Sequence, residues 1–128
     1  MNKKISVLVV DDEEHIWSIL DDNLRSNGFK VYLAEDGPTG LELARKKKPD
    51  MILLDWMMPG MDGLQVLEKL KADQSTDKIP VIMLTTKKMV NDVGNALLGG
   101  ADGYILKPFE IEKLAEVVRG KLEKLVRN

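Results

Sequence analysis

Cysteine is absent from this 128-residue chain, which excludes disulfide staples and thiolate metal ligands and fits a reducing compartment. The length makes staples unnecessary. It lies within the commonest single-domain range of about 100 to 150 residues, where roughly two-thirds of the unfolded surface is removed from water. An excess of either charge is also missing: 19 basic against 21 acidic residues leave a net of −2, so no electrostatic footprint for nucleic acid is visible and no direct nucleic-acid binding is expected. Long apolar runs are lacking too. Behind Lys3 and Lys4, the run from Ile5 to Val10 is stopped by Asp11, too soon for a signal peptide or a membrane span. A cytoplasmic location with no membrane partner is therefore expected. His15 is the single histidine and, with no second imidazole to share a ligand, reads as a surface residue.

What is present is a rhythm. Apolar, β-rich runs alternate five times with segments of helical period, and no Ser/Pro-rich linker, low-complexity stretch or repeat interrupts them. The expected strands are Ile5 to Val10, Val31 to Ala34, Met51 to Leu54, Val81 to Leu84 and Tyr104 to Leu106. Three are nearly continuous Val/Ile/Leu/Met runs, as parallel strands buried on both faces require. Between them, Ile16, Ile19, Leu20 and Leu24 mark one helical stripe; Leu41, Leu43 and Ala44 a second; Leu64, Leu67 and Leu70 a third; and Leu114, Val118, Leu122 and Leu125 the last. A fourth helix is expected about Met89 to Leu98 despite Gly94, while Gly28 and Gly99 or Gly100 suit helix C-caps. Strands alternating with helices imply one parallel sheet with right-handed crossovers and helices on both faces. The chain from residue 1 to 128 is expected to be one domain, with no effector domain visible.

Ligands of such sheets sit beyond the carboxyl ends of the strands. There the sequence places Asp11, Asp12 and Glu13 after strand one, Asp55 after strand three, Thr85 and Thr86 after strand four, and Lys107-Pro108 after strand five. Three carboxylates and one lysine sum to −2, an unfavourable crowd unless a hard divalent cation such as Mg²⁺ joins it. With that ion the site is roughly neutral and can receive a phosphoryl group, Lys107 sharing the charge that develops in transfer. A carboxylate is a competent nucleophile for such transfer.

Each residue also fits a plainer role. Asp11 to Glu14 suit a helix N-terminus, Asp55 a turn, Thr85 a helix cap and Lys107 a solvated loop. All four plain roles would have to coincide at four strand ends. The Lys46 to Lys48 run reads as a solvated helix end, Trp17 as rim packing, and Met57, Met58 and Met61 as gap fillers.

The motifs Val10-Asp11-Asp12, Asp55 followed by Met58-Pro59-Gly60-Met61-Asp62-Gly63, Leu84-Thr85, and Gly100-Ala101-Asp102-Gly103-Tyr104 leading into Lys107-Pro108-Phe109 are specific in combination. On them, and over essentially its whole length, the chain resembles the receiver domain of two-component response regulators. The resemblance implies a flavodoxin-like (βα)5 fold with strand order 2-1-3-4-5. It implies Asp55 as phosphoacceptor; Asp11, Asp12, Asp55 and the Met57 carbonyl around Mg²⁺; Lys107 on the phosphate; Thr85 as the hydroxyl that closes on it; and Tyr104 as the aromatic that changes rotamer. It implies a cis Lys107-Pro108 bond, a sensor histidine kinase or phosphotransfer protein as donor, and catalysis only of the chain's own phosphorylation and dephosphorylation. Output would pass to a downstream protein or effector domain through the fourth helix, fifth strand and last helix, about Lys88 to Arg119. Lys88, Asp102, Tyr104 and Arg119 would supply polar contacts there, and a weak phosphorylation-dependent homodimer is one form the output takes.

Some positions depart from the usual pattern. Trp56 is larger than the aliphatic residue common after the acceptor and should turn away from Asp55 by strand alternation. Thr86 is bulkier than the usual Ala or Gly, which narrows access, and Met57 and Lys87 hold positions that tune phosphate lifetime in relatives. Two other classes compete. A phosphatase with an aspartyl-phosphate intermediate wants a second Asp two residues after the first, where Met57 stands, and a flavin carrier wants a Ser/Thr/Gly-rich loop in place of Asp-Asp-Glu-Glu.

Overall fold

The computed structural model describes residues 4–86, 88 and 100–126, with side chains to residue 124. The helix expected about Met89 to Leu98, together with Lys87, lies outside the described residues. The elements run β1 (Ser6–Val10), α1 (Glu14–Ser26), β2 (Lys30–Ala34), α2 (Gly37–Lys47), β3 (Met51–Asp55), α3 (Gly63–Ala72), β4 (Val81–Thr86), β5 (Gly103–Lys107) and α4 (Ile111–Val126). All five strands are parallel, in the order β2-β1-β3-β4-β5. This is the expected flavodoxin-like topology.

Strand alternation divides the core in two. Leu8, Val10, Ile52, Leu54, Val81 and Met83 face α2 and α3, whose Leu41, Ala44, Leu67 and Leu70 cover them. Val7, Val9, Met51, Leu53, Ile82 and Leu84 face α1 and α4, which contribute Leu20, Leu24, Leu114 and Val118. Each fully buried Leu or Ile contributes about 1.5–3 kcal/mol of transfer free energy, so the two layers together account for most of the driving force. Trp56 joins the α2/α3 layer and is 3% exposed, on the side opposite Asp55, as alternation requires.

The strands outrun their apolar runs. β3 includes Asp55, β4 continues through Thr85 and Thr86, and β5 ends on Lys107. Hydropathy falls at those residues, but ladder bonds are made by the backbone: Asp55 pairs in register with Leu84, and the Trp56 amide donates to the Leu84 carbonyl at 3.1 Å. The polar residues of interest are thus held in the sheet rather than in loops.

The helices start and stop for local reasons. Asp36 accepts from the Thr39 amide at the start of α2, with Pro38 in its first turn. Asp62 and Gln65 form a reciprocal capping box on α3, the D-x-x-Q pattern visible in the motif but not read as a cap from sequence. Gly28, at φ +91°, follows the C-cap of α1 as expected. Gly63 is required for a different reason: a Cβ there would lie 2.5 Å from the Asp55 carbonyl oxygen and 2.7 Å from the Trp56 Cα. The start of α3 is therefore pressed against the end of β3. Among the described residues no helix is long and apolar enough to cross a membrane.

Candidate phosphoryl site at the carboxyl edge of the sheet

Asp11, Asp55, Thr85 and Lys107 lie at the carboxyl ends of four adjacent strands. Asp11 is held just past β1, its amide donating to the Ala34 carbonyl at 3.1 Å. Its Oδ1 accepts the Glu13 amide at 2.9 Å, so the side chain does help turn the chain into α1, while the N-cap itself is Glu13 with no side-chain cap bond. The capping reading of the acidic run therefore covers one oxygen of Asp11 and leaves the other outside the helix start.

That other oxygen points inward. Asp11 is fully buried and Asp55 is 2% exposed, and the Oδ2 atoms of both have no hydrogen-bond partner among the described residues. Lys107 Nζ lies 3.2 Å from Asp55 Oδ1 and 3.6 Å from Asp11 Oδ2. Exposed Asp12 completes an acidic trio in which one oxygen from each of Asp11, Asp12 and Asp55 falls within 4.8 Å of the others. Lys107 is not a solvated loop residue. It closes β5 against both carboxylates, and the Lys107-Pro108 bond is cis.

Burial, reinforced by the Asp11 carboxylate and opposed by Lys107 and a hydrogen bond from the Met57 amide, leaves the Asp55 carboxyl raised to about 7. Burial likewise raises Asp11, opposed by the Glu13 amide and Lys107 and assisted by the charges of Glu13 and Asp12. For Lys107 burial works downward, but the Asp55 and Asp11 carboxylates outweigh it and hold the ammonium above its ordinary value. One lysine thus compensates two buried carboxylates incompletely. Unpartnered buried carboxylate oxygens facing a third carboxylate suit a hard, oxygen-seeking divalent cation, and the residues present fit Mg²⁺.

Thr85 is 3% exposed, and its hydroxyl has no partner among the described residues, so the plain helix-cap role finds no support there. Tyr104 is 44% exposed and shares a sheet face with Thr85, whose register partner is Leu106. Met57 is 63% exposed at the rim, and Thr86 is also exposed. The hydrogen bond from the Met57 amide to Asp55 has no signal in the sequence, since nothing in a side-chain pattern reports which backbone N–H faces a carboxylate.

Two of the four polar groups expected on the output face are engaged elsewhere. Asp102 Oδ2 accepts the Val81 amide at 2.8 Å and lies 3.5 Å from Lys71 Nζ, which also donates to the Asp77 and Ile79 carbonyls. Arg119 donates to the Asn27 carbonyl and stacks over the Phe29 ring, 4.7 Å from its centroid, tying α4 to the end of α1. Lys88 and Tyr104 remain exposed.

A family model for the response regulator receiver domain matches residues 7–119. RpaA of Synechocystis sp., named a DNA-binding dual master transcriptional regulator, is 38% identical over 121 residues, covering 94% of this chain and 50% of that protein. MtrA of Mycobacterium tuberculosis, named a DNA-binding response regulator, is 41% identical over 118 residues, covering 92% of this chain and 50% of that protein. Among solved structures, the chemotaxis protein CheY4 of Vibrio cholerae superposes with a TM-score of 0.84 at 30% identity, over 92% of this chain and 98% of that one. The chain spans about half the length of the curated relatives it matches. These findings overturn the expectation of no direct nucleic-acid binding. A net charge of −2 describes only the 128 residues that carry it, and relatives twice as long are named for binding DNA.

Proposed function

The chain belongs to the response regulator receiver domain family, and from that premise we propose that it is a phosphorylation switch in which Asp55 accepts a phosphoryl group from a phosphohistidine of a sensor kinase or phosphotransfer protein. The single observation that carries the reading is the trio Asp11, Asp12 and Asp55 gathered within 4.8 Å, with Lys107 Nζ 3.2 Å from Asp55.

In this reading an Asp55 oxygen attacks phosphorus, a P–O bond forms, and the P–N bond to the donor imidazole breaks, the electron pair leaving with nitrogen. Burial that makes Asp55 a reluctant anion also makes the ionised form a poorly solvated and therefore reactive one. Asp11, Asp12, Asp55 and the Met57 carbonyl would hold Mg²⁺, which when bound supplies charge neutralisation for the incoming phosphoryl oxygens. Lys107, already between two carboxylates, turns to the transferred group as Asp55 is esterified. The buried Thr85 hydroxyl then gains an acceptor, and Tyr104 on the same sheet face responds by changing rotamer. A hydrogen bond to a charged group supplies about 1.5–3 kcal/mol, enough for a population shift rather than a rebuilt fold. The family is one of switches; catalysis of its own phosphorylation and hydrolysis belongs to the proposal. From the names of the relatives, the output would be control of a DNA-binding portion or partner, and the setting the cytoplasm.

Acetyl phosphate with Mg²⁺ should add one phosphoryl mass to the intact protein. The addition should vanish in EDTA and in Asp55→Asn. Undiminished labelling of that variant would remove Asp55 from its role.

A further inference from the structure

A second charged hollow lies at the opposite edge of the sheet, among the amino-terminal ends of the strands, and the phosphoryl chemistry leaves it unused. Its cavity of about 450 Å³ is lined by four lysines, Lys4, Lys30, Lys47 and Lys48, with Tyr32 in the wall. They arrive from separate places: Lys4 precedes β1, Lys30 opens β2, Lys47 closes α2, and Lys48 follows it with left-handed backbone at φ 45°. Lys30 and Lys47 both stand over the Tyr32 ring, 5.5 and 5.8 Å from its centroid. None of the four forms an ion pair among the described residues.

The one carboxylate in the lining, Asp50, is tied to Ser6 through one of its oxygens. Asp50 Oδ2 accepts the Ser6 amide at 2.8 Å and the Ser6 hydroxyl at 3.2 Å. Helix-dipole complementarity explains lysines at the end of α2, but not Lys4 or Lys30, which belong to other segments. Nor is the cluster merely the Lys46 to Lys48 run, because Lys46 turns away to Glu42 at 3.4 Å. Four ammoniums from three segments against one carboxylate give the hollow a positive potential that favours an anion.

We propose that this hollow binds an oligophosphate anion. A chain of linked phosphates offers several negative charges in a length that several ammoniums can share, and the cavity falls within the size range of small-ligand sites. Free oligophosphate and the tail of a nucleoside triphosphate present the same chemistry, and the two are separated by experiment. The full chain, free of metal, is titrated with tripolyphosphate while amide shifts and heat are recorded. Saturable shifts are expected at residues 4, 30, 32, 47 and 48, weakening several-fold between about 0.05 and 0.3 M salt. The double variant Lys30→Gln/Lys47→Gln should lose at least about tenfold in affinity. Lys46→Gln/Lys124→Gln, equal in net charge, should stay within about twofold, and Lys107→Ala should bind as the parent does. ATP binding more tightly than tripolyphosphate, with added shifts at Tyr32, assigns a nucleotide; equal affinities assign the phosphate chain alone. Shifts centred on Lys107, equal losses in both double variants, or no saturation would overturn the proposal.

Discussion

The two edges of the sheet handle charge in opposite ways. At the carboxyl edge, Asp11 and Asp55 are buried with unpartnered oxygens and one lysine between them. In the hollow at the amino edge four lysines stay in water, and the carboxylate in its lining, Asp50, accepts from the Ser6 amide and hydroxyl through Oδ2. A charge left in solvent costs little, whereas a buried, half-compensated one weakens the fold. The carboxyl edge is thus where stability has been given up, and the amino edge is where charge is carried almost free of cost. Stability should respond to substitution at the first edge and scarcely at the second.

The largest expected effect is kinetic. Lys107→Ala should slow labelling by acetyl phosphate about 100-fold or more, in line with removal of one preorganised charge from a transferring group. A loss below about tenfold in the initial rate, read by mass spectrometry, would mean that Lys107 is a packing residue.

Next is the dependence of metal-free stability on pH. The Asp55 carboxyl is raised from its ordinary 3.8 to about 7, so between those values the folded protein holds a proton that the unfolded chain releases. Stability must then fall as pH rises through that window, by up to about 1.4 kcal/mol per pH unit for one proton. The stabilising contribution is complete below about 4 and gone above about 7. Urea titrations across the window should show the slope, and Asp55→Asn should flatten it; a variant with the parent's slope would place the proton elsewhere.

Smaller again is the gain from relieving the crowd. Asp11→Asn keeps an oxygen for the Glu13 amide and removes a buried charge, so the metal-free protein should melt about 2–6 °C higher while binding Mg²⁺ less well. A lower melting point with normal binding would make Asp11 a turn residue only. The smallest effect closes the comparison from the other side: Lys47→Gln should change stability by less than about 0.5 kcal/mol in chemical denaturation. A larger loss would show that the basic edge also shapes the fold.

Much of this was legible in the residues. Runs such as Met51 to Leu54 and Val81 to Leu84 announced buried strands, and the stripes on α1 and α4 announced the faces those helices bury, though not which side of the sheet each covers. The strand ends were not legible, because Asp55, Thr86 and Lys107 are polar members of a ladder whose bonds ignore side chains. The candidate site residues were picked out by their motifs, and Asp11, Asp12, Asp55 and Lys107 do come together, while the engagement of Asp102 with the Val81 amide and of Arg119 with the Asn27 carbonyl is a matter of tertiary approach with no local signature. The nucleic-acid expectation failed for a related reason. A net charge averages over space, and here it blends an acidic pole with a basic one, besides describing half the length of the relatives it was used to judge.

Gly63 has no room for a side chain because α3 begins against the backbone of Asp55 and Trp56, and β3 itself is buried at all five positions between β1 and β4. Amides so placed open only when much of the domain does. In a deuterium-uptake experiment the peptide bearing Asp55 should therefore be among the slowest to exchange, with or without acetyl phosphate. Local breathing will be readable at the rim around Met57, and β3 itself will serve as the clock against which that breathing is timed.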